Sequence, residues 1–313
     1  LYGLGYAFIQ FDNEKDAQKA ASQYEKQGLT VQNDKIYNLS ATSSTSSESD
    51  WAYQYSEADT TLKYFKNNNN PQIIVGIIDS GIWYDHSKMK DRVIRTYTNF
   101  STSYIGDREN DEHGHGTNVA GVIAQSTPDN VKLSAFKVAD AEGHIYTSNL
   151  ICAYEYILAM KENQPDIINM SYGGYEPESP IEKNLLKELK DSGIALIAAA
   201  GNENVDTKDS SPANNENVLA VSAYDESGNK CWFSNYGSTV DIAAPGANVK
   251  TYKVANTTSY DYVNGTSFSS PFVAAAASYV LMQDTSRTPD DIYKILKDSA
   301  VKRNKASDRM WAG

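Results

Sequence analysis

Short apolar runs alternate with stretches of helical periodicity over most of this 313-residue chain. The apolar runs have the length of strands rather than of helices. They lie at 73–78, 131–138, 167–170, 195–199, 218–223 and 241–243. The stretches between them predict helices at 118–124, 149–162, 181–192 and 270–283. Because strands joined by crossover helices pair in parallel, we predict an α/β fold with a mostly parallel, doubly wound sheet.

The first forty residues predict a small separate unit. They are typical of a strand over 6–11, a helix over 12–28 and further strand material within 29–39. A unit of this size cannot bury a strong core alone, so it needs a larger body to pack against. We therefore predict a small N-terminal α+β unit.

A polar tract over 41–50 separates this unit from the rest of the chain. It has no apolar residue after its first position, which is typical of a flexible, protease-accessible linker. A helical pattern over 51–67 follows the linker. We place the boundary so that 1–48 contains the N-terminal unit with its linker and 49–313 contains the main domain.

The composition disfavours several classes of protein. Forty acidic residues against 28 basic ones give a net charge of −12, and such a field repels nucleic acid and anionic membranes. Every apolar run is well short of the roughly 20 residues that span a bilayer, so we expect no transmembrane segment in this chain. The two cysteines, Cys152 and Cys231, are far apart and show no zinc-binding spacing.

Three residues with catalytic chemistry lie where an apolar segment begins or ends. Asp79 follows the run 73–78, where a parallel sheet carries its site, although a carboxylate there also forms turns or caps. His115 stands in a glycine-rich entry to a helix, and its alternatives are a surface turn or a metal site shared with His113. Ser267 lies in a tight loop before an apolar helix, which it could also cap.

Together the three residues indicate nucleophilic acyl transfer, which needs a hydroxyl, a base and a carboxylate that orients the base. Five segments extend this pattern: IIDSG from residue 77, HGTNVAG from 115, INMSYGG from 168, AAAGNE from 198 and GTSFSSP from 265. They closely resemble the signatures of subtilisin-like serine proteases, whose triad has the same order Asp, His, Ser. The resemblance extends from about residue 50 to the end of the chain.

The resemblance implies a role for four residues. Asp79, His115 and Ser267 would form the catalytic triad. The side-chain amide of Asn202 would donate a hydrogen bond to the oxyanion of the tetrahedral intermediate, assisted by the backbone N–H of Ser267. The chain is therefore expected to be a serine endopeptidase.

The resemblance also implies two edges that pair with an extended peptide substrate. One edge is formed by Ser171, Tyr172, Gly173 and Gly174. The other includes Gly143 and Ile145, and the isoleucine stands where relatives often have glycine, which would narrow the subsites before the cleaved bond. Glu203 would lie in the wall of the adjacent pocket.

Two departures from the family pattern concern calcium. Lys88 stands where many relatives have a calcium-binding Asp, and a lysine cannot ligate a cation. The loop over 126–132 is short where relatives insert a calcium loop. We expect no cofactor and no strong calcium site, and leave the weaker calcium sites open.

The N-terminal unit resembles the later part of the family's prodomain, which assists folding and inhibits the protease until it is removed. Residues 36–62 contain no Lys or Arg, so a cut in this stretch cannot follow a basic residue. We predict self-cleavage between Glu48 and Ser49, with Lys208 attracting the acidic side chain. Glu203 acts in the opposite direction, because like charges repel.

The expected protein is a secreted or extracellular, self-processing serine endopeptidase whose partners are a peptide substrate and its own prodomain. Its acidic, cysteine-poor composition without the strong calcium site is similar to that of bacterial leader peptidases, which mature lantibiotic-type precursor peptides. That role is preferred here. The alternatives are a broad-specificity degradative protease, an inactive relative that binds peptides, and a metal-dependent hydrolase.

Overall fold

The computed structural model describes residues 6–39, 41–43, 49–65, 69–94, 98–101, 110–175, 179–254 and 259–301. The helices are α1 (Glu14–Lys26), α2 (Trp51–Tyr55), α3 (Ala58–Phe65), α4 (His115–Ser126), α5 (Thr147–Ala159), α6 (Pro180–Asp191), α7 (Ser270–Gln283) and α8 (Pro289–Ser299). The strands are β1 (Ile36–Asn38), β2 (Thr42–Ser43), β3 (Ile73–Asp79), β4 (Val93–Ile94), β5 (Val131–Lys137), β6 (His144–Tyr146), β7 (Ile167–Met170), β8 (Gly174–Tyr175), β9 (Ala195–Ala199), β10 (Ser210–Ser211), β11 (Leu219–Tyr224), β12 (Ile242–Pro245), β13 (Val249–Tyr252) and β14 (Tyr260–Asn264). Short 3-10 turns lie at Thr207–Asp209 and Thr266–Phe268.

A seven-stranded sheet forms the centre of the molecule, in the order β12-β11-β9-β7-β3-β5-β4. All of its neighbouring strands are parallel. The predicted doubly wound α/β fold is therefore confirmed. The predicted strands 167–170 and 195–199 have the observed bounds, and the others are displaced by one or two residues at their ends.

Helices cover both faces of this sheet, which explains why its strands carry apolar residues on both sides. On one face, Val75 and Ile77 of β3 belong to a core shared with α4 and α7. On the other face, Ile78 packs in a core with Leu150 of α5 and Leu185 of α6. β3 is consequently buried along its whole length and ends at the catalytic candidate Asp79.

The N-terminal segment differs from its predicted strand-helix-strand form. Helix α1 is present, but none of its residues is buried. Residues 6–11 form no strand, and Phe8 and Ile9 are exposed. β1 is a strand, but it pairs with β6 of the main domain. The predicted strand at 6–11 is therefore wrong. Its expected partner, the strand after α1, pairs with the main domain instead, so residues 6–11 are left without a strand to pair with in the described part of the chain.

After the predicted boundary, the described residues 49–65 form α2 and α3, which replace the single helix predicted over 51–67. The break lies at Glu57, whose φ of 56° is left-handed and ends a helix. The indole Nε1 of Trp51 donates to Ala247 O at 3.0 Å, and Asp50 pairs with Lys250 at 3.0 Å. Residues 49–65 are thus fixed on the main domain. Within the described stretches, no helix has the length and apolarity needed to cross a bilayer.

Candidate active site

Asp79 and His115 form a buried pair at the carboxyl end of β3. Asp79 is the last residue of β3, and His115 is the first residue of α4. The imidazole Nδ1 lies 2.9 Å from each carboxylate oxygen of Asp79. Both side chains are buried. The carboxylate therefore fixes the imidazole through Nδ1, so that Nε2 faces away from Asp79.

Glycines allow the start of α4 to approach the end of β3. Gly114 precedes the helix with a φ of 98°, a conformation that residues with a Cβ rarely adopt. A Cβ on Gly116 would lie 2.1 Å from the carbonyl oxygen of Gly81. This close approach of two backbones sets the distance between His115 and Asp79.

Asp111 holds the same helix start and was not singled out by the sequence analysis. Its carboxylate accepts hydrogen bonds from Gly114 N–H at 2.7 Å, Thr117 N–H at 2.8 Å and the Ser80 hydroxyl at 2.8 Å. The Ser80 hydroxyl in turn accepts from Gly116 N–H at 2.9 Å. The signal that could have identified Asp111 is a carboxylate a few residues before a predicted helix, where it caps free N–H groups.

Ser267 lies in the 3-10 turn before α7 and is buried. Its hydroxyl donates to Ser171 O at 3.0 Å. The adjacent Phe268 ring packs 5.5 Å from the His115 ring, measured between centroids. His115 Nε2 is buried and makes no hydrogen bond within the described part of the chain. The described contacts therefore bring the Ser267 loop to the imidazole without a Ser267–His115 hydrogen bond, a bond that often forms only with substrate.

Asn202 lines the same pocket as Ser267. Its side-chain oxygen accepts hydrogen bonds from the backbone N–H of Thr266 at 2.8 Å and from the Thr266 hydroxyl at 3.0 Å. These two bonds fix the amide group, so its nitrogen lies on the side away from Thr266. The pocket thus contains an uncharged donor group beside the serine, as oxyanion stabilisation requires.

The environment of His115 changes its pKa in two directions. Burial lowers the pKa, but the charge and hydrogen bond of Asp79, with a smaller contribution from Asp111, raise it above the ordinary value of 6.5. Because a neutral imidazole would act as the base, we expect kcat/KM to fall as the pH drops through a midpoint above 6.5. A pH–rate profile of the free enzyme measures this midpoint, and one below 6.5 would contradict the assignment.

The same pKa has the opposite effect on folding stability. A folded-state pKa above the unfolded value stabilises the fold fully below the unfolded pKa, and this contribution is lost as the pH rises through the folded pKa. The pair of His115 with Asp79 thus stabilises the protein most at a pH at which the His115 imidazole is protonated.

The two predicted substrate edges flank a strand from the chain's own N-terminal segment. β1 pairs antiparallel with β6, and Leu39 N–H donates to Gly143 O at 2.9 Å. On the opposite side, Asn38 forms an antiparallel bridge with Gly173. We call the groove between these edges the cleft. It holds an extended peptide by backbone pairing on both sides, which is β-augmentation.

Individual residues of these edges contribute in different ways. Ser171 turns its side chain away from the cleft and donates to Ser267 O at 2.7 Å, so its carbonyl rather than its hydroxyl faces the Ser267 side chain. Tyr172 and Ile145 are buried beneath the cleft strand. A Cβ on Gly174 would lie 2.7 Å from the Tyr37 ring, so glycine is needed for the close approach.

Glu203 lines the pocket that contains Ser267, whereas Lys208 does not. The carboxylate of Glu203 turns towards the protein and accepts from Asn202 N–H at 2.9 Å and from Asn235 Nδ2 at 2.8 Å. Lys208 pairs with Asp209 at 3.6 Å and does not line the pocket that contains Ser267. The structure thus places no cation from Lys208 beside that pocket.

The predicted cut lies at the edge of what the structure describes. Glu48 lies outside the described residues. The Ser49 hydroxyl accepts from Trp51 N–H at 3.2 Å, at the start of α2. The described segment that enters the cleft is residues 36–39, and the cut between Glu48 and Ser49 stays a prediction.

The candidate metal residues are dispersed. The rings of His113 and His115 are 6.2 Å apart, and the described residues contain no cluster of three His, Cys, Asp or Glu side chains that could hold a metal. Lys88 is exposed. At the short turn after α4, the buried Arg92 donates to the backbone oxygens of residues 124, 127 and 131. Burial lowers the pKa of Arg92 to about 10, so it stays cationic at neutral pH. The absence of calcium stays a prediction.

The parallel sheet, the buried Asp–His pair and the serine before a helix agree with the subtilisin-like fold. Residues 70–312 match the subtilase family. The chain therefore belongs to the subtilase family.

Relatives and solved structures agree with this membership. Subtilisin-like protease 2 of Pseudogymnoascus destructans is 32% identical over 66% of this chain and 51% of its own length. Subtilisin-like protease 6 of Arthroderma benhamiae is 34% identical over 72% of this chain and 55% of its own length. The chain thus spans about half the length of these curated relatives.

Two solved structures share the fold. A cold-adapted subtilisin-like serine proteinase is similar with a TM-score of 0.69 and 29% identity, over 78% of this chain and 87% of that one. A protease from Pseudoalteromonas arctica is similar with a TM-score of 0.70 and 25% identity, over 81% of this chain and 91% of that one.

Proposed function

We propose that the protein is a serine endopeptidase that cleaves extended polypeptides and removes its own N-terminal segment. The observation that supports this most directly is the strand held in the cleft. Asn38 of that strand lines the same pocket as Ser267 and Asn202. A peptide chain is therefore held beside the proposed nucleophile by backbone contacts that require no particular side chain.

The proposed reaction uses four side chains. Ser267 Oγ attacks the peptide carbonyl carbon while His115 Nε2 takes the hydroxyl proton, and Asp79 stabilises the resulting imidazolium. The Asn202 amide donates to the oxyanion, with the Ser267 N–H as the second donor. His115 then gives the proton to the leaving amine as the C–N bond breaks. Water, deprotonated by His115, hydrolyses the acyl-enzyme and restores Ser267.

The N-terminal unit is proposed to act as an inhibitory prodomain. Asp34 accepts hydrogen bonds from the Thr147 hydroxyl at 2.8 Å, the Ser148 N–H at 2.9 Å and the Ser148 hydroxyl at 2.6 Å. Lys35 N–H donates to the Thr147 hydroxyl at 3.0 Å, and Thr147 N–H donates to Lys35 O at 2.9 Å. A carboxylate at the start of α5 is favoured by the helix dipole. These contacts anchor the segment that fills the cleft and so exclude a substrate.

Two stretches of the N-terminal segment pair with the main domain, and the bond that we propose to be cut during maturation lies between them. The described strand in the cleft ends at Leu39. Beyond it, Thr42 of β2 pairs with Asn264 of β14, the strand that leads into the Ser267 loop. We place the cut between Leu39 and Thr42, upstream of the Glu48 position predicted from the sequence.

The test is N-terminal sequencing and intact mass of the purified full chain over time, beside Ser267→Ala. We expect a new N-terminus at residue 40, 41 or 42 in the wild type and none in the variant. A wild-type N-terminus at Ser49 would support the cut between Glu48 and Ser49 that was predicted from the sequence, and would reject the cut between Leu39 and Thr42. Processing of both proteins would show that another protease acts, and an intact wild type that still cleaves added peptides would reject only the self-processing.

We infer general proteolysis outside the cell as the biological role. The relatives named above, which are called only subtilisin-like proteases, support this choice. The removal of leader segments from lantibiotic-type precursors stays a prediction, and no contact among the described residues supports it. An inactive peptide-binding role is disfavoured by the buried Asp79–His115 pair and the orientation of Asn202.

A further inference from the structure

A buried polar pocket receives the side chain of Tyr37, the middle residue of β1. The Tyr37 side chain is 1% exposed, and its hydroxyl donates to Glu182 Oε2 at 3.0 Å. We propose that Glu182 makes this pocket a tyrosine-selective subsite, which recognises a tyrosine upstream of the cleaved bond in peptide substrates and in the chain's own N-terminal segment. This inference rests on the proposed function, because it names the substrates that the cleft prefers.

The main domain itself holds Glu182 in place. Glu182 lies in the first turn of α6, and its N–H donates to the Ser179 hydroxyl at 3.0 Å. Its carboxylate also accepts from the Ser211 hydroxyl at 3.2 Å and from the Tyr154 hydroxyl at 3.4 Å. None of these partners belongs to the N-terminal segment. The acceptor therefore remains in the pocket when Tyr37 leaves and a substrate enters.

The walls of the pocket fit a flat ring. The Tyr172 ring is stacked on the Tyr37 ring, with centroids 6.3 Å apart and planes inclined by 23°. On another side, Gly174 leaves the space that a Cβ would take from the Tyr37 ring. Ile145, which pairs with Tyr37 in the strand register, is fully buried. An aromatic side chain fills this space, so the shape selects the ring and Glu182 selects its hydroxyl.

Charge explains why a hydroxyl is preferred over a bare ring. A buried carboxylate needs hydrogen-bond donors, because its water shell is lost. Burial first and then the Glu182 charge raise the pKa of Tyr172 well above its usual value, and burial with the neighbouring Tyr172 and Glu182 raises that of Tyr154. Both phenols stay protonated at neutral pH. A phenylalanine in place of Tyr37 would fill the same space but leave Glu182 with one donor fewer.

The first test compares two synthetic peptides. One has the sequence of residues 34–45, DKIYNLSATSST, and the other has phenylalanine in place of its tyrosine. We expect the full chain, once it has removed its own N-terminal segment, to show kcat/KM at least about tenfold higher for the tyrosine peptide, and Glu182→Leu to remove that preference. Ser211→Ala is the matched control, since it removes another donor to Glu182 and should retain the preference. Equal rates for the two peptides with the wild type would overturn the proposal.

The second test needs no catalysis and so separates this inference from the proposed function. In Ser267→Ala, the exchange rate of the Leu39 amide reports how often the strand leaves the cleft. Tyr37→Phe and Glu182→Leu are each expected to raise that rate about tenfold, and both together no further than either alone. If the increases in the two single variants multiply in the double variant, Tyr37 and Glu182 do not act as a pair and the proposal is overturned. This result does not depend on whether any peptide is cleaved. Glu182→Gln, which keeps the size and an acceptor oxygen, should give a smaller increase and serves if the leucine variant does not fold.

Discussion

Replacing Ser267 with alanine is expected to lower kcat on a peptide substrate about a millionfold, the loss measured when the nucleophile of another subtilase is removed. The variant loses the atom that attacks the carbonyl, and the remaining catalysis comes from the oxyanion donors and substrate binding. The fold should persist, because the removed hydroxyl makes a single hydrogen bond, to Ser171 O, in the described part of the chain. Single-turnover assays and thermal unfolding of the purified variant measure both effects.

Ser269→Ala provides the matched control for this prediction. Ser269 lies in the same loop and is equally buried, but its hydroxyl donates to Pro245 O at 3.1 Å and does not line the pocket of the cleft. We expect it to keep wild-type kcat within about tenfold. If Ser267→Ala retained substantial activity while Ser269→Ala lost it, the nucleophile would be assigned to the wrong serine.

The sheet could be predicted from the sequence because each strand carries its own signal. The strand Ala195–Ala199 is a continuous apolar run, and Ile167–Met170 is apolar except for Asn169, since both faces are covered by helices. The strand predicted at 6–11 has a similar apolar content but no partner among the described residues. Strand formation there depends on pairing, which composition does not contain.

Part of the candidate site could likewise be predicted from local sequence, and part could not. Asp79, His115 and Ser267 lie at the ends of strongly patterned segments, so their positions follow from local sequence. The acidic cut could not be judged, because it depends on which segment enters the cleft. That choice is made by long-range contacts such as Asp34 with Ser148 and Tyr37 with Glu182. Sequence separation hides such contacts, and only the folded chain reveals them.

Replacing Asp79 with asparagine is expected to lower kcat about ten-thousandfold, a size taken from triad variants of other serine proteases. The asparagine amide is neutral, so it neither stabilises the imidazolium nor fixes the tautomer with hydrogen on Nδ1. The Asp79 carboxylate also raises the pKa of His115. Its loss should therefore lower that pKa and move the acidic limb of the pH–rate profile to lower pH, which steady-state assays across pH measure directly.

Asp140→Asn is the matched control, because Asp140 forms an exposed pair with His144, at 3.3 Å, beside the cleft. Breaking that pair should leave both kcat and the acidic limb nearly unchanged, since solvent screens exposed charges. A rate loss in Asp79→Asn without a shifted limb would mean that Asp79 positions the imidazole but does not set its pKa. If Asp79→Asn shifted the acidic limb of the pH–rate profile but kept full activity, the triad would be contradicted, because the orientation of His115 would then not limit catalysis.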